Sequence, residues 1–203
     1  MKSMVNRLVF LALATVGLPV YAANFTVDAN MHSLDLIVDK SPDGQVHIIK
    51  NFDAAYFNYS ENIDGDTIRL VSDAATGINS DPRNGRITYV KNRGDQIVLT
   101  ERARVTVQVP DDAAIKFVSL NGGITVNDID CTSIDVKTNN GDCTLNRSSW
   151  DSIQLDTKTG SIYYTGGIEG KSIDFETGNG NINIVLEAGS EVDVDIQSRY
   201  SYR

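Results

Sequence analysis

From Ile115 onward the chain repeats one arrangement of apolar and polar positions. Ile115-x-Phe117-x-Ser119, Ile134-x-Val136-x-Thr138, Ile153-x-Leu155-x-Thr157 and Ile173-x-Phe175-x-Thr177 follow one another at intervals of 19, 19 and 20 residues, and Val192-x-Val194-x-Ile196 comes 19 later. A glycine stands seven residues after each of the four isoleucines, at Gly122, Gly141, Gly160 and Gly180. Two residues past each glycine a second alternating pair begins: Ile124 with Val126, Cys143 with Leu145, Ile162 with Tyr164, and Ile182 with Ile184. Alternation at period two marks a strand with one buried face, so each repeat predicts a strand, a glycine turn, a second strand and a return segment. The regular repeats span residues 113–198.

A single repeat cannot bury its apolar face. Stacking repeats in register, with strands about 4.8 Å apart, closes a continuous apolar column. The predicted fold class is therefore all-β, a β-helix with rungs of about 19 residues in the C-terminal half. The turn glycines are expected at positive φ, where a residue with a Cβ loses about 1 kcal/mol or more. Asn121, Asn140, Thr159 and Asn179 precede them and should form a ladder of side-chain hydrogen bonds at the corner. An antiparallel sandwich also has short strands and glycine turns, but its strands rarely repeat their residue types in phase.

The N-terminal half is less regular. Strands are expected at 34–38, 46–49, 56–59, 67–71, 87–90, 96–100 and 105–109, with the polar stretch 72–86 as a long exposed loop. No linker-like composition interrupts them, so they are expected to be irregular early turns of the same coil.

The first residues have a different character. Lys2 and Arg7 precede an apolar run of 13 residues, 8–20, and Val20-Tyr21-Ala22 places small side chains three residues and one residue before a cleavage point. This pattern predicts a signal peptide over residues 1–22 and a single β-helix domain over 23–203. The run is too short for the roughly 20 residues that cross a bilayer. No cysteine follows the cleavage point and no later stretch is long and apolar, so a soluble bacterial protein is expected, periplasmic or extracellular. Of the formal charge of −9, two positive charges belong to the leader, which leaves −11 on the exported part. That balance excludes nucleic acid and anionic lipid as partners, and no membrane insertion is expected.

The segment VTVQVPDDAAIKFVSLNGGITVNDI, followed by IDVKTNNGDCTL, IQLDTKTGSIYY and IDFETGNGNINI, resembles the bacterial putative-adhesin β-strand repeat domain of unknown function, and is similar to the related head domain of auto-transporter adhesins. The resemblance is specific over residues 105–196. It implies a single-stranded right-handed β-helix, export, and no established enzymatic activity. The sequence departs from the repeat at Arg199, which stands where a fifth glycine would be.

Candidate chemistry is sparse. His32 and His47 are the only histidines and lie far along the chain from the repeats, where each is expected as a surface residue of an early strand. There is no HExxH, no phosphate-cradling glycine loop and no nucleophile elbow. One constellation appears when the repeats are stacked. Outward positions place Asp135, Gln154, Asp174 and Asp193 in one column and Lys137, Asp156, Glu176 and Asp195 in the next, so Asp156, Asp174, Glu176, Asp193 and Asp195 form an acidic patch. Carboxylates this close repel by roughly 1 kcal/mol per pair in water. The patch admits a solvated face, a calcium site, or an acid and base pair acting on polysaccharide. No cofactor is expected, calcium being the one candidate ion. Thr125, Thr144, Tyr163 and Asn183 form a milder polar strip on the other side, and Trp150 is expected to close the core among Ile129, Ile168 and Leu186. Export permits a disulfide between Cys131 and Cys143, and two free buried thiols are the alternative.

Together these features predict an exported, non-enzymatic, monomeric module with adhesin-like binding of a surface polysaccharide or an envelope protein. The alternatives are a polysaccharide-acting enzyme using the stacked carboxylates and a purely structural envelope protein. Arg199, Tyr200, Tyr202 and Arg203 are expected to cap the end of the coil.

Overall fold

The computed structural model describes residues 13–15, 25–52, 57–74, 78–81, 86–91, 95–99, 103–147, 150–167 and 172–187, and its regular elements are all strands. The N-terminal strands are β1 (Leu13–Thr15), β2 (Thr26–Met31), β3 (Asp35–Lys40), β4 (His47–Asn51), β5 (Phe57–Asp64), β6 (Thr67–Ala74), β7 (Ile78–Asp81), β8 (Arg86–Lys91), β9 (Asp95–Leu99) and β10 (Arg104–Val109). The repeats supply β11 (Ala113–Ser119), β12 (Ile124–Asn127), β13 (Cys131–Thr138), β14 (Cys143–Asn146), β15 (Trp150–Thr159), β16 (Ile162–Gly166), β17 (Ser172–Asn179) and β18 (Ile182–Leu186).

Within the repeats the chain alternates between two parallel sheets. Lateral pairing aligns Ile115, Ile134, Ile153 and Ile173 across β11, β13, β15 and β17 in the first sheet. It aligns Ile124, Cys143, Ile162 and Ile182 across β12, β14, β16 and β18 in the second. Inward positions close the core: Ile115, Phe117, Val126, Val136, Leu145 and Leu155 are buried. Trp150 is also buried, as expected, but it stands beside Cys131 at the start of β15 and meets Tyr164 edge-on at 5.4 Å.

The turn glycines are required for a reason other than the expected one. None of Gly122, Gly141, Gly160 and Gly180 has a positive φ; among the described residues positive values fall on Gly44, Gly65 and three residues with side chains, Asp112, Asp128 and Arg147. Instead the backbones of successive corners touch. A Cβ on Gly122 would lie 2.1 Å from the carbonyl oxygen of Leu34, on Gly141 2.1 Å from that of Gly122, on Gly160 2.2 Å from that of Gly141, and on Gly180 1.9 Å from that of Gly160. Those carbonyls point to a buried hydroxyl ladder. Thr138 Oγ1 donates to Gly122 O at 3.1 Å, Thr157 Oγ1 to Gly141 O at 3.1 Å and Thr177 Oγ1 to Gly160 O at 2.8 Å, while Ser119 Oγ accepts the Gly122 N–H at 2.7 Å. A buried carbonyl left unpaired would cost about 1–3 kcal/mol, which explains the Thr at this phase of β13, β15 and β17. The asparagine ladder begins as expected, Asn140 Nδ2 donating to Asn121 Oδ1 at 2.8 Å. A second ladder runs along the other sheet, from Asn146 to Asn127 and from Asn127 to Asp39, each at 2.9 Å.

The N-terminal half departs from an orderly early coil. The second sheet runs β1-β4-β10-β3-β12-β14-β16-β18, the first β17-β15-β13-β11-β2-β6-β5, and β7-β8-β9 form a separate antiparallel sheet. Strands β2 and β3 make a rung of their own that stacks on β11 and β12, with Val27 beside Ile115 and Leu36 beside Ile124. The next level down is β6 with β10, and β7 to β9 are inserted between those two strands in the chain. The β2–β3 rung is therefore sandwiched between two later pairs, because its alternation fits the parallel register on both flanks. Beyond it β4 and β5 pair antiparallel with β10 and β6 and end the parallel stack. The stretch expected as a loop at 72–86 contains the end of β6 and the strand β7, whose composition, Ile-Asn-Ser-Asp, hides its pairing with β8. β1 falls within the predicted leader and pairs antiparallel with β4.

The turn from β3 to β4 is organised by Asp43. Its Oδ1 accepts from Ser41 Oγ at 3.0 Å, the Gln45 N–H at 3.0 Å and His47 Nε2 at 2.8 Å. The hydrogen bonds from His47 and Gln45 lower its pKa from 3.8 to about 2. A lowered carboxylate contributes stability above its unfolded pKa and loses it as pH falls through the folded one. Acid titration of the unfolding midpoint should therefore show a component between pH 3.8 and about 2 that Asp43→Asn abolishes. For the corners, Gly160→Ala should destabilise by about 1–3 kcal/mol in urea unfolding, because the blocking atom is backbone. The outward change Thr125→Ala should stay within about 0.5 kcal/mol, and equal effects would contradict the close approach.

Candidate functional site

The outer face of the first sheet is a grid fixed by strand register. One column reads Arg69, Asp28, Lys116, Asp135, Gln154, Asp174, and the next Val71, Asn30, Val118, Lys137, Asp156, Glu176. The stacking expected of Asp156, Asp174 and Glu176 is present, with Asp156 between Lys137 and Glu176 and beside neither of the other column's acids. Basic residues thus interleave with acids, Lys116 beside both Asp28 and Asp135, and Arg69 Nε 3.6 Å from Asp28 Oδ2. Asp193 and Asp195 lie outside the described residues. Among the described residues no group of three or more His, Cys, Asp or Glu could hold a metal ion.

Where this face meets the glycine corner it becomes concave. A groove of about 440 Å³ opens there, lined by Asn30 and Met31 of β2 and His32 just after it, from β6 by Ser72 and Asp73, and from the repeats by Val118, Leu120, Lys137, Asn139, Asp156 and Lys158. Val118 and Leu120 are apolar side chains left 38% and 39% exposed, so the groove combines an apolar floor with side chains of both charges. His32 is not remote from the repeats, as its place in the sequence suggests. The β2–β3 rung carries it to the corner, where its backbone C=O accepts from the Asn121 N–H at 2.8 Å and its Nδ1 lies 2.7 Å from Ser33 Oγ. Sequence reasoning missed Asn30, His32, Ser72 and Asp73 because their proximity to Leu120 exists only through pairing across more than 40 residues of chain. Lys137 and Asp156 were accessible to it through the repeat phase.

The two cysteines are free and buried. Cys131 opens β13 and Cys143 opens β14, so they mark opposite ends of one rung, with Ile134 and Val136 between them. Burial first, and nearby carboxylates second, push both thiols up to about 12.

Comparison with known proteins settles the family. The Toastrack DUF4097 family pattern matches residues 36–199. The chain belongs to this family. The Toastrack match begins within β3 and takes in the insertion, the groove's repeat residues and β18. The Toastrack chain is similar in fold to a putative cell adhesion protein from Clostridium sporogenes, with a TM-score of 0.50, 11% identity, and coverage of 81% of this chain and 94% of that one. A putative adhesin from Bacteroides fragilis is matched over 81% of this chain and 94% of its own, at 9% identity and a TM-score of 0.31. No curated protein matches. The all-β, parallel-rich, solenoid-like architecture read from the repeats is thus a Toastrack architecture.

A thiol-reactive chromophore at pH 8 should label neither Cys131 nor Cys143 in the native protein and both in denaturant, as burial and raised pKa require. Rapid native labelling of either would place it at an accessible surface.

Proposed function

We propose that this Toastrack protein is an exported, adhesin-like module that binds a surface or envelope component through the corner groove and the charged outer face beside it. The groove carries the reading: it is concave, has an exposed apolar floor in Val118 and Leu120, and gathers Asp73, Lys137, Asp156 and Lys158 around it. Such a lining suits a polymer that offers both apolar surface and hydrogen-bonding groups, a polysaccharide or an extended protein segment. Export is supported by the leader pattern at residues 1–22 and by the fold shared with the Clostridium protein. Within the repeats, the 19-residue register and the preference of parallel crossovers for one hand support a right-handed coil of single-stranded rungs.

The experiment is a glycan array and an envelope-protein pull-down with the exported protein, compared with Leu120→Asp and Lys137→Glu. Each variant should weaken capture by about ten-fold or more while leaving the melting temperature within a few degrees of the parent. Undiminished binding by both variants would move the site elsewhere. Turnover of a captured glycan that disappears in Asp156→Asn or Asp174→Asn would replace binding with the enzymatic reading.

A further inference from the structure

The corner groove is ordered along its length. Ser72, Met31, Ser119, Thr138 and Thr157 are in register across β6, β2, β11, β13 and β15, and the outward residues that follow them are Asp73, His32, Leu120, Asn139 and Lys158. The His32 N–H donates to Ser72 O at 3.0 Å and the Asn139 N–H to Ser119 O at 3.2 Å, which carries the register into this column. Neighbouring strands stand about 4.8 Å apart, so the column is roughly 19 Å long. It has a carboxylate at one end, a half-exposed leucine at its middle and an ammonium at the other end.

The two end charges are uncompensated. Lys40, Lys50, Arg69 and Arg147 are each held in an ion pair, whereas among the described residues neither Asp73 nor Lys158 is in one. In the neighbouring column Asp156 stands beside Lys137 and balances it, and Glu176 lies one strand further, outside the groove lining. The groove therefore presents a negative end at β6 and a positive end at β15.

The lining between them suits a peptide better than a sugar. It includes no Phe, Tyr or Trp among the described residues, and its exposed floor is the branched pair Val118 and Leu120. A sugar laid there would press hydroxyls against side chains that cannot hydrogen-bond them, whereas an aliphatic side chain gives up no such bonds. Asn30 stands beside Val118, and Asn139 follows the position paired with Ser119; each amide offers both a donor and an acceptor, which is what a peptide N–H and C=O require.

Taking the groove as the binding site, as above, we propose that its occupant is an extended segment of a protein partner with a basic side chain at one end, aliphatic side chains at its centre and an acidic side chain at the other. The segment lies across the strands, its base at Asp73, its aliphatic groups over Leu120 and Val118, and its acid at Lys158. An extended chain advances about 3.3 Å per residue, so base and acid stand about six residues apart.

The probe is a fluorescein-labelled, amidated heptapeptide, Lys-Ser-Leu-Ser-Val-Ser-Glu, followed by fluorescence anisotropy against the protein produced from its full chain. The parent should bind it saturably, with a Kd below about 1 mM. Lys158→Glu changes an exposed side chain and should weaken binding by about ten-fold or more with an unchanged melting temperature. A second probe ending in Lys in place of Glu should recover that loss on the Lys158→Glu variant, which a merely structural effect of the substitution would not do. Asp73→Lys should weaken the first probe in the same way. A parent that does not bind the first probe, or binding that Lys158→Glu and Asp73→Lys both leave unchanged, overturns the proposal. If glycan capture that Leu120→Asp abolishes is then found, the groove remains the binding site and its occupant is a polysaccharide. If no capture of either kind responds to Leu120→Asp, the groove itself is not the site.

Discussion

Backbone meets backbone at the glycine corner, and the rest of the stack is arranged around that approach. With a Cβ at Gly141 excluded by a carbonyl 2.1 Å away, each turn settles directly on the turn beneath it, which brings the two sheets into the same register at both of their strands. The approach places a row of carbonyls inside the corner, and Thr138, Thr157 and Thr177 supply the donors they need. Burial of Ile134, Val136 and Leu155 then supplies the bulk of the stabilisation, at about 25 cal/mol per Å² of apolar surface removed from water. Polar ladders set the spacing; apolar columns supply the drive.

The same corner makes the groove. Because the β2–β3 rung stacks on β11 and β12 through Leu34 and Gly122, the turn at His32 comes against the exposed end of β11. β6 lies one strand further, and the inserted β7 to β9 leave the chain from that side, after Asp73 and Ala74. Core and groove are thus two sides of the same strands, with inward residues holding the register that places the outward ones.

Much of this could be read from the sequence, for identifiable reasons. The inward assignment of Ile115, Phe117, Ile134 and Leu155 followed from alternation and phase, which are local and repeated. The phase also carried the lateral pairing of Asp156 with Lys137 and Glu176. The role of the glycines was not legible, since a missing Cβ serves a left-handed turn and a close approach equally well, and only the neighbouring rung tells them apart. Nor was the order of the N-terminal strands: Val27-x-Ala29 and Ile68-x-Leu70 show the same alternation, and nothing in either says which neighbour it will choose. The groove inherits that difficulty, as Asn30, Met31, Ser72 and Asp73 of its lining come from those strands.

The position of the β2–β3 rung also bears on the moment at which the fold can close. β2 takes its partners from β6 and β11, and β3 from β10 and β12, every one of them later in the chain. β2 and β3 therefore have no flanking strand until residue 74 exists, and are not enclosed on both sides until residue 127 has followed. Contacts across this much sequence are slow to form. Closure around the β2–β3 rung therefore waits for the last of its four partner strands.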